Sequence, residues 1–341
     1  MAIDYSGGVD PSREYFLSEV PEDPMLRESA SLWASDTEGV INLPRMGIEK
    51  IGANWLMPDF QVNVGFPDGR AVVARRSGKG ETPVDADGIC RRMRAGELEF
   101  RCVEPFARWE MSYEGEAHDT TAAFLTRGAL ADAPTIDLAV HVEFTMAAPP
   151  WVPGTLLAEA ADMMANDIEG QFISDRYEQL VTTKGEVRVG SEDFSFTGTG
   201  LRIRRTGSRN VGGFWGHCWQ SALFPSGRGF GYLTFPPRPD GEPSYNEGYV
   251  FDGERLIPAT VLKAPFLSRL TPIGEDTSLV LRTADGDIEI ESENVFSTFL
   301  APGQNVEFAP PLHQAGCRYR WDGEETYGMM ERSIPVDQLL D

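Results

Sequence analysis

Apolar and polar residues alternate with a period of two over much of this chain. Phe60-Gln61-Val62-Asn63-Val64, Leu98-Glu99-Phe100-Arg101-Cys102, Trp109-Glu110-Met111-Ser112-Tyr113 and Leu138-Ala139-Val140-His141-Val142-Glu143-Phe144 carry the pattern most clearly. Successive side chains of a strand point to opposite faces, so this spacing predicts half-buried strands. Asp-Gly pairs punctuate the runs: Asp68-Gly69, Asp87-Gly88, Asp240-Gly241, Asp252-Gly253, Asp285-Gly286 and Asp322-Gly323. Between two β-type runs such a pair predicts a hairpin, because a type I′ turn needs positive φ at both central residues. Leu279-Val280-Leu281 and Ile288-Glu289-Ile290, around Asp285-Gly286, are one example. Connections this short predict an antiparallel meander rather than a βαβ pattern.

Three stretches depart from the pattern. Residues 1–24 are polar and hold Pro11, Pro21 and Pro24, and read as a surface arm. Met25 to Trp33 shows weak helical periodicity. Thr155 to Ile168 is a convincing helix: it follows Pro153-Gly154, ends before Gly170, and sets its apolar positions near one face. A helix between two β-rich halves is a natural divider. The expected domains are therefore an N-terminal β-domain over 25–175 and a C-terminal β-domain over 176–341. Many short antiparallel strands must close or stack to remove their edges, which predicts an all-β chain of barrels or sandwiches. An aromatic content of 10% suits either an ordinary core or an apolar cavity for one small ligand.

Composition narrows the partners. A formal charge of −23 argues against nucleic acid and anionic lipid, since both need a positive face. No stretch approaches the ~18 apolar residues of a membrane helix, and the first residues lack a basic, apolar leader. Cys90, Cys102, Cys218 and Cys317 are scattered, as expected of free thiols in a reducing cytoplasm. A homodimer is compatible with the sequence. Nucleophile-elbow, phosphate-loop and H-E-x-x-H motifs are missing, and Ser77-Gly78-Lys79-Gly80 has the wrong glycine spacing for a phosphate loop. His118, His141, His217 and His313 never pair at ligand spacing, so neither a metal nor an organic cofactor is expected.

One histidine stands apart. In Gly212-Gly213-Phe214-Trp215-Gly216-His217-Cys218-Trp219 an extended backbone puts Trp215, His217 and Trp219 on one face, with glycines allowing close approach. Here His217 is either a core histidine packed between indoles or a general acid or base tuned by burial. Downstream, Tyr245-Asn246-Glu247-Gly248-Tyr249 sets a carboxylate between two phenols. An aromatic setting raises a carboxyl pKa, so Glu247 is either a proton donor or a hairpin-end glutamate in solvent.

The two motifs together resemble the bacterial carotenoid 1,2-hydratases (hydroxyneurosporene synthases) and their AttH-like relatives. The match rests on the H-x-W of His217-Cys218-Trp219 and the Tyr245-Asn246-Glu247 that follows, with Tyr319, Tyr327-Gly328 and Glu331-Arg332-Ser333 near the C-terminus. Glu247 stands where that family has Asp. The resemblance implies two tandem lipocalin-like (calycin) barrels over most of the chain, which the helix read above would connect, and cofactor-free, acid-catalysed hydration of a terpenoid double bond. It makes His217, Trp219, Tyr245 and Glu247 the catalytic set; Phe214, Trp215 and Tyr249, the aromatic neighbours of these residues in sequence, are the candidates for substrate binding. The expected function is a hydratase or dehydratase acting on a hydrophobic small molecule, such as a terpenoid, steroid or aromatic compound. The alternatives are an isomerase or cyclase using the same acid, or a non-catalytic binder of hydrophobic ligands.

Overall fold

The computed structural model describes residues 3–128, 130–166, 172–210, 215–238, 240–301 and 311–340. Nearly all of its regular structure is antiparallel strand, as the alternation requires. The first sheet runs through Leu26–Asp36, Asn42–Ile51, Asp59–Gly65 and Arg70–Ser77, and is joined to Arg108–Thr121, Thr135–Met146, Arg176–Val189 and Glu192–Ser208. Two ladders close these eight strands into a ring. Arg70–Val73 pairs with His118–Thr121, and Leu26–Asp36 pairs along its length with Gly198–Ser208. Leu98–Glu104, Arg92–Ala95 and Gly80–Glu81 extend from this ring as a flap. A second, closed eight-stranded barrel follows, from His217–Leu223 to Glu324–Ser333, and these two strands pair to seal it. Asp322-Gly323 has the positive φ at both residues (51° and 79°) that a two-residue hairpin loop demands.

The chain leaves the first sheet at Ser208 and enters the second barrel at His217, so the division between the two sheets does not fall at residue 175. The helix, Ala158–Asn166, is an insertion between two strands of the first ring and starts at Ala158 rather than the expected Thr155; the expected end at Ile168 lies outside the described residues. It looked like a divider because nothing local reveals that Arg176–Val189 pairs back onto Thr135–Met146 and that Gly198–Ser208 pairs with Leu26–Asp36.

Leu26–Asp36 is a strand where weak helical periodicity suggested otherwise, and the physical reason is burial on both faces. Ala30, Leu32 and Ala34 point into the first barrel, while Trp33 belongs to the cluster between the barrels. A strand covered on both sides loses its alternation. The N-terminal arm is likewise more than surface. Glu14 is fully buried, accepting from Phe106 N, Trp109 Nε1 and the Tyr177 hydroxyl and pairing with Arg202 at 2.9 Å. Phe16 joins the first core, with the Arg204 guanidinium over its ring.

The lumen of the second barrel is filled. Cys218, Phe230, Tyr232, Cys317, Tyr319 and Met330 pack within it. Tyr232 donates to Gln220, and Gln220 Nε2 donates to Tyr319 Oη at 3.1 Å. Trp219 and Leu233, on the same strands as Cys218 and Tyr232, and Tyr249 on the strand after them face the first barrel instead.

Because Arg176–Ser208 supplies two of the eight strands of the first ring, a chain ending after Asp175 should leave that ring open. It should show no cooperative melting by circular dichroism, whereas the full chain should.

Candidate functional site

His217 and Trp219 enter the site from the first strand of the second barrel. The neighbouring strand sets Ser333 opposite His217 and Glu331 opposite Trp219. On the other side Leu233 stands opposite Trp219, and Glu247 opposite Leu233. Glu331, Trp219, Leu233 and Glu247 thus form one lateral row on the face turned to the first barrel. Gly216 makes the entry possible. Its φ is +113°, and a Cβ there would lie 2.5 Å from the Ser333 carbonyl oxygen. Trp215, just before this turn, is held aside, its indole donating to Pro236 O at 3.0 Å and its ring against Phe235.

Between the barrels lies a cavity of about 310 Å³. Ser29, Ser31, Trp33, Arg45, Glu49 and Arg205 line it from the first barrel, and His217, Trp219, Leu233, Leu312 and Glu331 from the second. Trp33 and Trp219 meet edge to face at 4.8 Å. The candidate ligand space is therefore the cleft between barrels and not a lumen.

Arg45 reaches this cleft through a backbone irregularity. The register of Asn42–Ile51 with the next strand breaks between Asn42 and Met46, and Arg45 has φ of 75°. A bulge re-aims a side chain, and left-handed backbone at a non-glycine residue must be held in place by its surroundings. Asn63 Nδ2 does so, donating to the carbonyls of Pro44 and Arg45 at 2.9 Å each. The Arg45 guanidinium then spans the barrels, Nη2 donating to Glu49 Oε1 at 2.6 Å and Nη1 to Glu331 Oε2 at 3.3 Å. Burial alone would push the Glu331 carboxyl up. Arg45 outweighs it, with help from His217 and Gln314, and holds the group at about 2. Glu331 is thus a carboxylate at any working pH.

His217 is buried, with Nδ1 2.8 Å from Ser333 Oγ and Nε2 3.5 Å from Glu331 Oε1. Burial lowers its pKa below the usual histidine value. Glu331 counteracts this, while Arg176 and Arg209 reinforce it. The result is a neutral imidazole at pH 7 on the cavity wall, beside a fixed carboxylate.

Glu247 has a different environment. Its Oε2 accepts from Trp151 Nε1 at 3.0 Å, Gly154 N at 2.6 Å and Tyr245 Oη at 3.0 Å. Its Oε1 accepts from the backbone N–H groups of Leu156 and Leu157, both at 2.9 Å. Five donors saturate the roughly four lone-pair sites of a carboxylate. Glu247 therefore straps the segment leading into the helix onto the second barrel. It does not line the cavity. The expectation that Glu247 and His217 face one cavity is not met, because Trp219 and Leu233 separate them. At a strand spacing of ~4.8 Å, Glu247 sits roughly 10 Å beyond Trp219. Tyr245 serves the strap, and burial pushes its phenol well up. Tyr249 packs on Trp151 at 5.5 Å. Phe214 lies outside the described residues. Among those residues no cluster of His, Cys, Asp and Glu could hold a metal ion.

The residues missed in the sequence are arginines. Arg45, Arg75, Arg76, Arg176, Arg205 and Arg209 all line the cavity. One signal was present: Arg202-Ile203-Arg204-Arg205 places charge at both parities of a strand-like run, so one set must be buried.

The sequence matches, over residues 13–336, the family described as "Domain of unknown function (DUF7064)". No curated protein matches it. Among solved structures it is similar to an AttH candidate from Nitrosomonas europaea, at 12% identity and a TM-score of 0.59, covering 94% of this chain and 98% of that one. It is also similar to CghA bound to Sch210972, at 9% identity and a TM-score of 0.57, covering 92% and 89%. Kievitone hydratase from Nectria haematococca follows, at 10% identity and a TM-score of 0.51, covering 94% and 93%. At such identities the likeness is one of fold.

Glu247→Ala leaves three backbone N–H groups and an indole without their acceptor. It should destabilise the protein by on the order of 3 kcal/mol or more, read from urea unfolding. Arg45 can be tested through pH. Glu331 contributes stability above its ordinary 4.5, and that contribution is lost as pH falls toward about 2. In Arg45→Met the carboxyl should titrate higher, so the melting temperature should depend less steeply on pH between those limits.

Proposed function

This chain belongs to the DUF7064 family, and we propose that it is an acid/base enzyme of the hydratase or dehydratase type acting on a hydrophobic small molecule. The observation that carries the reading is the buried His217, neutral at pH 7 and set on the cavity wall between Ser333 and the permanently ionised Glu331. The hydratase name of one fold neighbour agrees with the reaction class.

In the hydration direction Ser333 accepts from Nδ1–H, and the substrate water donates one O–H to Nε2 and the other to Glu331 Oε1, the two acceptors that stand 3.5 Å apart on the cavity wall. Nε2 takes a proton from water as the water oxygen adds to a polarised double bond. The imidazolium formed is stabilised by Glu331 and passes that proton to the adjacent carbon of the substrate, which completes the addition and restores neutral His217. Dehydration runs the same steps in reverse, with the imidazolium protonating the leaving hydroxyl. Trp33, Trp219, Leu233 and Leu312 offer an apolar wall for a terpenoid, steroid or aromatic body. Glu247 supports this site by holding the segment ahead of the helix, and it carries no proton to substrate.

His217→Gln should lower kcat by about 10²–10⁴-fold with little change in substrate affinity. The wild-type rate should hold as pH falls to the usual histidine value and drop only below it, since the neutral imidazole is the working form. Glu247→Gln should lower the melting temperature and leave kcat per folded molecule within a few-fold. Steady-state kinetics on compounds whose mass changes by one water would decide this. A His217→Gln protein that alters Kd alone, with no turnover to lose in the wild type, would make the chain a carrier.

A further inference from the structure

The cavity wall carries more positive charge than its own carboxylates offset. Six arginines line it, against Glu49, Asp59 and Glu331. Arg45 is shared between Glu49 and Glu331, Arg76 pairs with Glu97, and Arg176 lies 2.6 Å from Glu178. Arg75, Arg205 and Arg209 have no carboxylate at ion-pair distance among the described residues. Arg75 donates to Phe299 O at 2.6 Å and Asn63 Oδ1 at 3.1 Å, and Arg209 Nε donates to Phe172 O at 2.7 Å. Arg205 is 4% exposed, and its guanidinium donates no hydrogen bond to a described residue; its Nε is buried without a partner.

Burial, with repulsion from neighbouring arginines, lowers Arg205 to about 9 and Arg209 well below its usual value. A buried guanidinium with unused donors is costly unless something supplies both charge and acceptors. Composition does not explain the excess, for the whole chain carries 30 basic against 53 acidic residues.

We propose that the ligand of this cavity is an organic anion: an apolar body carrying an oxyanion head group, such as a carboxylate, received by Arg205 and Arg209. This rests on the cavity being the ligand site, as in the preceding reading. The planar guanidinium fork matches an oxyanion in two hydrogen bonds at once. Trp33, Trp219 and Leu233 take the apolar part. In the reaction above, the same pairing draws electrons from a double bond conjugated to the head group, which is the polarisation that water addition requires.

The test uses two fluorescent probes of nearly the same apolar body, titrated into the full chain. One is 8-anilinonaphthalene-1-sulfonate, an anion; the other is N-phenyl-1-naphthylamine, which lacks the sulfonate. The anion should bind at least about tenfold more tightly, and decanoate should displace it where decanol does not. Arg205→Met and Arg209→Met should each weaken the anionic probe by about tenfold or more and leave the neutral one unchanged. The melting temperature of the unliganded protein should change little in both, because relief of a buried guanidinium with unused donors offsets the loss of its attraction to Glu49. If a methionine variant does not fold, Arg205→Lys keeps the charge, loses the fork and should still weaken the anion. Equal affinity for the two probes, or an anion affinity indifferent to both arginines, would overturn the proposal while leaving the cavity reading intact. Leu233→Trp, which fills the cavity, should block both probes. Failure of both probes to bind the wild-type chain would remove the cavity reading itself, and the anion proposal with it.

Discussion

The Arg45 guanidinium joins two carboxylates from two barrels, and much of the site depends on that bridge. It ties Glu49 to Glu331 across the cleft and keeps Glu331 ionised, which in turn gives His217 a fixed partner. Glu49 is held at about 2 in the same way: burial opposes its ionisation, and Arg27, Arg45, Arg205 and Arg209 overcome it. A bridge of this kind is weak evidence for stability, because desolvation offsets most of the attraction. Its value is geometric. The bulge at Arg45, secured by Asn63, aims one side chain at a place where both barrels present acid.

Strands that bury both faces make that place possible. Leu26–Asp36 and Glu192–Ser208 give one face to the lumen of the first barrel and the other to the cleft. The first strand of the second barrel divides likewise, with Cys218 and Gln220 inward and His217 and Trp219 outward. A filled lumen on each side leaves the seam between barrels as the natural site for a small molecule, in keeping with the preference of ligand sites for domain interfaces.

Two glutamates of the second barrel share a face and a row, yet have opposite roles. Glu247 spends its lone pairs on Trp151, Tyr245 and three backbone groups, and so fixes the approach to the helix. Glu331 keeps a flank on the cavity beside His217. Hydrogen-bond supply separates them: the segment 151–157 covers one end of the row and leaves the other end open.

The alternation in Phe60–Val64, Leu98–Cys102 and Leu138–Phe144 determined the all-β class, because a period of two has no other physical origin than a half-buried strand. Asp322-Gly323 determined its hairpin, because two successive positive φ values exclude most residues. His217 and Trp219 on one face followed from strand geometry alone. Tertiary structure decided the rest. Which strand closes the first ring depends on pairing between Leu26–Asp36 and residues some 170 positions away, and no local pattern encodes a partner. Helix Ala158–Asn166 interrupts a sheet that resumes beyond it. The placing of Glu247 outside the cavity, and of Arg45, Arg205 and Glu331 around it, came from the packing of one barrel on the other. Charge and face can be read along a chain, whereas proximity between faces of two barrels exists only after both have closed.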